Sequence, residues 1–187
     1  LKASGDGYSF GASAYKAWFR DYIYQQATGD IEDDLPVFET RQANARYLGF
    51  EVEASVRLVR LGGFAINLDG LADYVRATIA SVGPAPRIPP LRFLGGIEAQ
   101  SDRIDGRIEV ERVTGQDRVA QLETPTGGYT MVNASISVQP FPRHKETSLT
   151  LSANNIFDVD ARRHASFLKD YAPLAGRDLR LTARFSF

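Results

Sequence analysis

Cysteine is absent from this 187-residue chain, and methionine and tryptophan each occur once. Without a thiol there is no disulfide, no thiolate metal site and no cysteine nucleophile. Histidine occurs twice, as His144 in a proline-bounded turn and as His164 in a loop, which leaves no credible nucleophile–histidine–acid arrangement. A glycine-rich phosphate cradle and a zinc-protease signature are also missing, so the chain does not read as an enzyme. Neither sign of charge is in excess, with 22 basic against 23 acidic residues, which argues against a nucleic-acid partner. No run approaches the roughly 18 apolar residues that a membrane helix requires. Helical spanning is thereby excluded, but spanning by strands is not, because each needs only about 9 to 11 residues with one apolar side. No signal peptide is visible, and the polar opening from Leu1 to Gly7 reads as that of a mature form or, in preference, of a fragment of a longer chain.

What the chain does have is alternation. From Leu179 onward, Leu179, Leu181, Ala183, Phe185 and Phe187 share one parity; Arg180, Thr182, Arg184 and Ser186 share the other. A period of two is strand geometry. The same pattern places Phe50, Val52, Ala54, Val56 and Leu58 opposite Glu51, Glu53, Ser55 and Arg57. It recurs from Phe64 to Thr78, Leu91 to Ala99, Arg107 to Val113, Thr130 to Gln139 and Leu149 to Ala153. A first strand over Tyr8–Tyr24 changes parity, and a bulge near Ala14 is expected there. The total is eight strands, with no convincing amphipathic helix.

The connections alternate in length. Long ones are expected at 25–44, 79–90, 115–128 and 158–177, and short ones at 61–63, 101–105 and 140–146. A sandwich or soluble barrel has no need of this alternation. A membrane barrel has a reason for it, with tight turns at one rim and displayed loops at the other. Alternation alone does not say which side is inside, so a soluble ligand-binding barrel and a complete small eight-stranded outer-membrane barrel with a structural or adhesion role stay open. Tyr8, Trp18, Tyr22, Tyr24, Tyr47, Tyr74 and Tyr129 fall mostly near strand ends, as interfacial aromatic girdles do.

The segment from Leu149 to Asp158 (LTLSANNIFD), then His164–Asp170 (HASFLKD), Ala172–Arg177 (APLAGR) and the closing strand, resembles the carboxy-terminal end of TonB-dependent outer-membrane receptors. Arg87–Arg92, Gln116–Val119 and Glu123–Thr126 before Gly128–Thr130 also fit that family, in its zinc-uptake-like branch. The resemblance implies an all-β, antiparallel transmembrane barrel of 22 strands around a plug, of which residues 1–187 are the last eight strands. Ala175 stands where that family often has proline, and no histidine-rich loop is visible.

The resemblance further implies active uptake of a metal ion or metal complex, with no covalent chemistry and no cofactor. The implied partners are the TonB complex (through an amino-terminal part outside these residues), outer-membrane lipid and the barrel-assembly machinery, in the cell outer membrane. Phe187 would be the barrel-insertion signal. Glu51, Glu53, Asp69, Asp73, Glu109, Glu111, Arg180 and Arg184 would face the lumen, where the acids attract cations or bridge to Arg57, Arg107 and Arg180 across strands. Asp30, Glu32, Asp33 and Asp34 lie in the first long loop, where they draw in cations or are simply solvated. His164 is a weak candidate metal ligand, since zinc wants three or four convergent groups; loop packing is the competing role.

Overall fold

The computed structural model describes residues 1–141 and 147–185. It contains ten strands: β1 (Lys2–Gly5), β2 (Tyr8–Glu32), β3 (Leu35–Leu61), β4 (Phe64–Ile79), β5 (Gly83–Pro84), β6 (Arg92–Gln100), β7 (Ile104–Val113), β8 (Tyr129–Val138), β9 (Ser148–Asn154) and β10 (Asp178–Arg184). All belong to one antiparallel sheet with neighbour order β1-β2-β3-β4-β6-β7-β8-β9-β10, and β5 pairs only with the end of β4. Each main strand pairs with the next in sequence, as expected of a meander built from hairpins. Among the described residues β1 and β10 do not pair with each other. The sheet is therefore open, and it is not a small barrel of eight strands closed on itself.

Three expectations are corrected. Residues 25–44 are not a loop. β2 and β3 are 25 and 27 residues long and pair almost to their tips, Glu32 opposite Leu35. Asp33 and Asp34 adopt left-handed φ angles of 50° and 63°, the two-residue hairpin turn whose twist matches the strands. Pro36 is tolerated because β3 has only β2 for a neighbour there, its pairing with β4 beginning at Ala45. Asp30 and Glu32 thus lie on a strand that continues past the sheet. Second, the bulge lies between Phe19 and Tyr22, where Asp21 takes a φ of 53°, and not near Ala14. Third, Lys2–Gly5 is a strand that turns through Asp6 and Gly7 into β2, so the strand count exceeds eight.

Apart from these, the expected strands and turns stand, among the described residues, where the alternation placed them; the expected turn at 140–146 lies largely outside those residues. The apolar clusters are small and local. One joins Tyr24, Ala45, Ala77 and Ile79 to Ala85 and Ile88 of the proline-rich connection, and the other joins Val113 and Tyr129 to Ala161. Both lie at the long-loop end of the sheet, where loops fold back onto it.

Candidate functional site

Cross-strand register sorts the side chains into two faces. Ser13, Glu51, Asp73, Arg92 and Val113 are successive partners across β2, β3, β4, β6 and β7, and Asp69, Gly96 and Glu109 form a parallel row. Directly paired residues share a face, and parity carries it along each strand. Glu51, Glu53, Asp69, Asp73, Glu109, Glu111, Arg180 and Arg184 therefore all lie on one face. The other carries Phe10, Val52, Phe93, Val110, Ile136 and Leu181. Phe93, Leu181 and Phe185 on that face are 46%, 73% and 61% exposed, the reverse of a soluble barrel with a packed apolar interior.

The polar face is laced by two ion-pair groups. Arg107 on β7 forks onto Asp69 on β4, at 2.5 and 2.9 Å, and also reaches Glu109 at 3.0 Å. Arg92 on β6 bonds Asp73 at 2.8 Å and lies 3.8 Å from Glu111. Of the bridges expected from sequence, the one through Arg107 forms. Arg57 turns instead to Asp6 at 3.4 Å, and Arg180 to Asp178 at 3.2 Å. Arg92 was not anticipated; its only sequence signal is an even spacing from Leu94 and Gly96. Glu51, Glu53 and Arg184 have no ion-pair partner among the described residues.

Above this face the loops form a knit cap. Asn155, almost fully buried at a left-handed φ of 47°, donates from its side-chain amide to the carbonyls of Val159 and Ala175 and accepts from the Val159 N–H. Its backbone N–H donates to Asn133 Oδ1 on β8. The Asp158 carboxylate accepts the Arg177 N–H at 2.8 Å. Glu123 accepts the N–H groups of Arg87 and Ala120, tying two loops together. Lys169, also buried, donates to the carbonyl and hydroxyl of Thr124.

The family model for the TonB dependent receptor-like β-barrel matches residues 1–156. The chain belongs to that family of outer-membrane receptors. Its members are receptors, not enzymes. Solved structures share the fold across the chain. A copper transporter, OprC, superposes with a TM-score of 0.86 at 20% identity, over 100% of this chain and 31% of OprC. The FrpB iron transporter of Neisseria meningitidis (F3-3 variant) gives 0.71 at 16% identity, over 100% and 30%. The ferric-catecholate import receptor Fiu of E. coli K12 gives 0.67 at 17% identity, over 97% and 25%. The chain thus spans less than a third of the length of each.

Within this receptor barrel, His164 is 3% exposed. Its Nδ1 lies 2.9 Å from the Thr126 hydroxyl, and its Nε2 lies 3.3 Å from Glu123 Oε1 without a hydrogen bond. Burial, the first cause, and the Lys169 charge hold the imidazole below its ordinary proton affinity, against the opposing carboxylates of Glu123 and Asp170. Among the described residues no three histidine or acidic side chains converge as a metal would need. The geometry gives His164 a loop-packing role. The girdle reading is also redrawn. Tyr8, Trp18 and Tyr74 lie on the apolar face, whereas Tyr22, Tyr24, Tyr47 and Tyr129 share the polar face with Ala43, Arg41, Ala45 and Val113. There the Tyr47 hydroxyl donates to Tyr22 at 2.9 Å. His144 and Phe187 lie outside the described residues.

Proposed function

We propose that this chain is the carboxy-terminal wall of an outer-membrane transporter that takes up a metal ion or metal complex with energy delivered through TonB. The observation that carries the reading is the separation of the two faces, with carboxylates on one and uncharged apolar rows along most of the other. On this reading the apolar rows contact lipid, where only a strand already paired on both sides is tolerated. The polar face, with Glu51, Glu53, Asp69, Asp73, Glu109, Glu111, Arg180 and Arg184, lines a hydrated lumen. In the whole protein, further strands would complete a 22-stranded barrel of the size that encloses a plug. The family's TonB box would precede that plug. Phe187 would end the last strand as the signal read by the assembly machinery.

The metal class rests on likeness to copper and iron transporters of the same fold, and zinc on the His164–Asp170 segment. A transporter of this design does its work by binding and release. The ion-pair groups around Arg107 and Arg92 hold the wall rigid, and Glu51 and Glu53, without ion-pair partners among the described residues, leave negative potential in the lumen.

The test is uptake by cells carrying or lacking the full-length gene, using labelled zinc, copper and chelated iron, with and without a functional TonB. Accumulation of one of these that needs both the gene and TonB supports the reading. Equal accumulation of all three in both strains rejects metal uptake, and preference for copper or chelated iron rejects zinc.

A further inference from the structure

A cavity of about 580 Å³ opens where the tall β2–β3 hairpin meets the loop cap. Tyr24 and Gln26 of β2, Pro86 and Arg87 of the proline-rich connection, and Glu123 and Phe167 of the last two long loops stand in its wall. Its size falls in the range of small-molecule sites, about 300–1,000 Å³.

Two wall positions hold a side chain where glycine is the easier residue. Arg87 and Leu122 have left-handed φ angles of 58° and 62°, which a Cβ disfavours. At Arg87 the conformation is fixed by Glu123, whose Oε1 accepts the Arg87 N–H at 2.8 Å while Oε2 accepts the Ala120 N–H at 2.9 Å. Strain of this kind gathers at ligand clamps, where a side chain must be held in one direction.

Arg87 is also the open charge of the wall. Its Cζ lies 3.9 Å from the centre of the Phe167 ring, and it forms no ion pair among the described residues. Stacking covers one side of a guanidinium and leaves its N–H edges free. Lys169 is engaged with Thr124, and Glu123 with two backbone N–H groups. Tyr24 donates its hydroxyl to Gln26 Oε1 at 3.1 Å, which leaves the Gln26 amide N–H groups to act as donors. A ligand therefore meets one free cation, an amide donor and open aromatic surface, Phe167 being 77% exposed. Such a wall repels a bare divalent cation and accommodates a flat acid.

We propose that this cavity binds a flat aromatic carboxylate, either free or carrying a chelated metal. Arg87 takes the carboxylate as a fork, the ligand ring lies against the aromatic wall, and Gln26 donates to a second oxygen. On the reading that the chain belongs to an uptake transporter, on which this place in uptake rests, the metal enters as the complex of such an acid and not as a bare ion. Arg87 is then the residue that selects by charge.

The test is titration calorimetry on the full-length receptor purified in uncharged detergent. The probes are pyridine-2,6-dicarboxylate, its zinc complex, the uncharged pyridine-2,6-dicarboxamide and zinc alone. The acid, free or complexed, is expected to bind at least about tenfold more tightly than the diamide. Arg87→Gly removes the guanidinium and suits the left-handed backbone. It is expected to lose about tenfold in affinity for the acid while its thermal midpoint stays level or rises. Arg112→Gln, on the apolar face, is expected to bind as the parent does. A preference for the complex over the free acid identifies the chelate as the ligand, and equal affinity identifies the acid itself; both support the site. Equal binding of the diamide, equal binding by Arg87→Gly and the parent, or zinc alone bound as tightly as the acid overturns the proposal. Heat-modifiable gel mobility verifies folding, and Phe167→Ala, expected to weaken binding severalfold, replaces Arg87→Gly where that variant does not fold. Binding without gene-dependent uptake removes the transport reading and leaves the site, whereas gene-dependent uptake of bare metal without binding of the acid removes the site alone.

Discussion

Arg107 reaches across the whole width of β6 to fork onto Asp69 on β4, and Gly96 is the residue it passes over. A Cβ built at Gly96 would stand 2.3 Å from Arg107 Nη2 and 2.6 Å from its Cζ. The missing side chain is thus what lets a guanidinium lie flat on the sheet and join two strands that are not neighbours.

Gly96→Ala is therefore expected to push Arg107 off Asp69 while leaving the β6 ladder intact. The pair is partly wet, so the loss is about 1 kcal/mol. It is read as a lowered midpoint of denaturant unfolding of the full-length receptor in detergent. The informative result is non-additivity. Asp69→Asn should cost little more in the Gly96→Ala background, because both changes remove one interaction. Full additivity of the two would mean that Gly96 acts through backbone strain and not through Arg107.

Asn155 holds the last long loop by four hydrogen bonds from a nearly fully buried position. Replacing it with alanine leaves the Val159 N–H and two carbonyls without protein partners, and keeps a Cβ at a left-handed φ without the side-chain hydrogen bonds that favour asparagine there. A loss of about 2–4 kcal/mol in local stability is expected. It should appear as rapid proteolytic cleavage within residues 155–178, with the barrel strands still protected. Cleavage at the parent rate would mean that the loop is held elsewhere, for example by the pairing of Asp158 with the Arg177 N–H.

The faces were legible in the sequence because a period of two admits no intermediate. Each of Glu51, Glu53, Asp69, Asp73, Glu109 and Glu111 lies on the face its parity implied, and one slip of register would have moved a whole strand's set. The hairpin beyond Tyr24 was not legible. Its residues mix polar and apolar on both sides, Ile31 and Phe38 with Gln25 and Thr40 on one and Leu35 and Val37 with Gln26 and Glu39 on the other, so alternation is silent, and Asp33-Asp34 followed by Pro36 looks like loop chemistry when it is a left-handed turn. The bulge at Asp21 was misplaced for a related reason, since Tyr15, Ala17 and Phe19 are apolar residues on the polar face. Tyr22, Tyr24, Tyr47 and Tyr129 misled because their position near strand ends fits a girdle and a loop-covered wall equally. What covers them is set by loops distant in sequence, through groups such as Glu123, Asn155 and Lys169, and no local pattern reports such contacts.

His164 makes the loop cap sensitive to acid. The docked loop favours the neutral imidazole, holding its proton affinity below the ordinary value of 6.5. Above that value both the docked and the released loop carry a neutral His164, and docking is at full strength. As pH falls below it the released form takes a proton first, so docking weakens toward the depressed value. Amide exchange in residues 120–126 and 164–170 is expected to be slow at about pH 7.5 and severalfold faster, after correction for intrinsic rates, at about pH 5.5. His164→Gln should flatten that dependence. A cap that tightens in acid would mean that the charge pair with Glu123, 3.3 Å away, outweighs burial.

Val110 and Glu109 are neighbours in β7 that point to opposite faces, and they separate the lipid reading from its rivals. Val110 pairs with Gly95 and Val132, and Glu109 with Gly96 and Asn133. If the apolar rows face lipid, Val110→Arg places an unpaired charge in hydrocarbon and costs about 2–4 kcal/mol near the midplane. Glu109→Gln, on the wet side, removes one contact to Arg107 and should leave assembly unchanged. Folded receptor in outer-membrane fractions, followed by its heat-modifiable mobility, distinguishes the two variants. If the faces were reversed the order would invert. Val110→Arg would be accepted at a solvated surface, and Glu109→Gln would ease the burial of charge. Equal yields of both variants would likewise count against a lipid boundary along this side of the sheet.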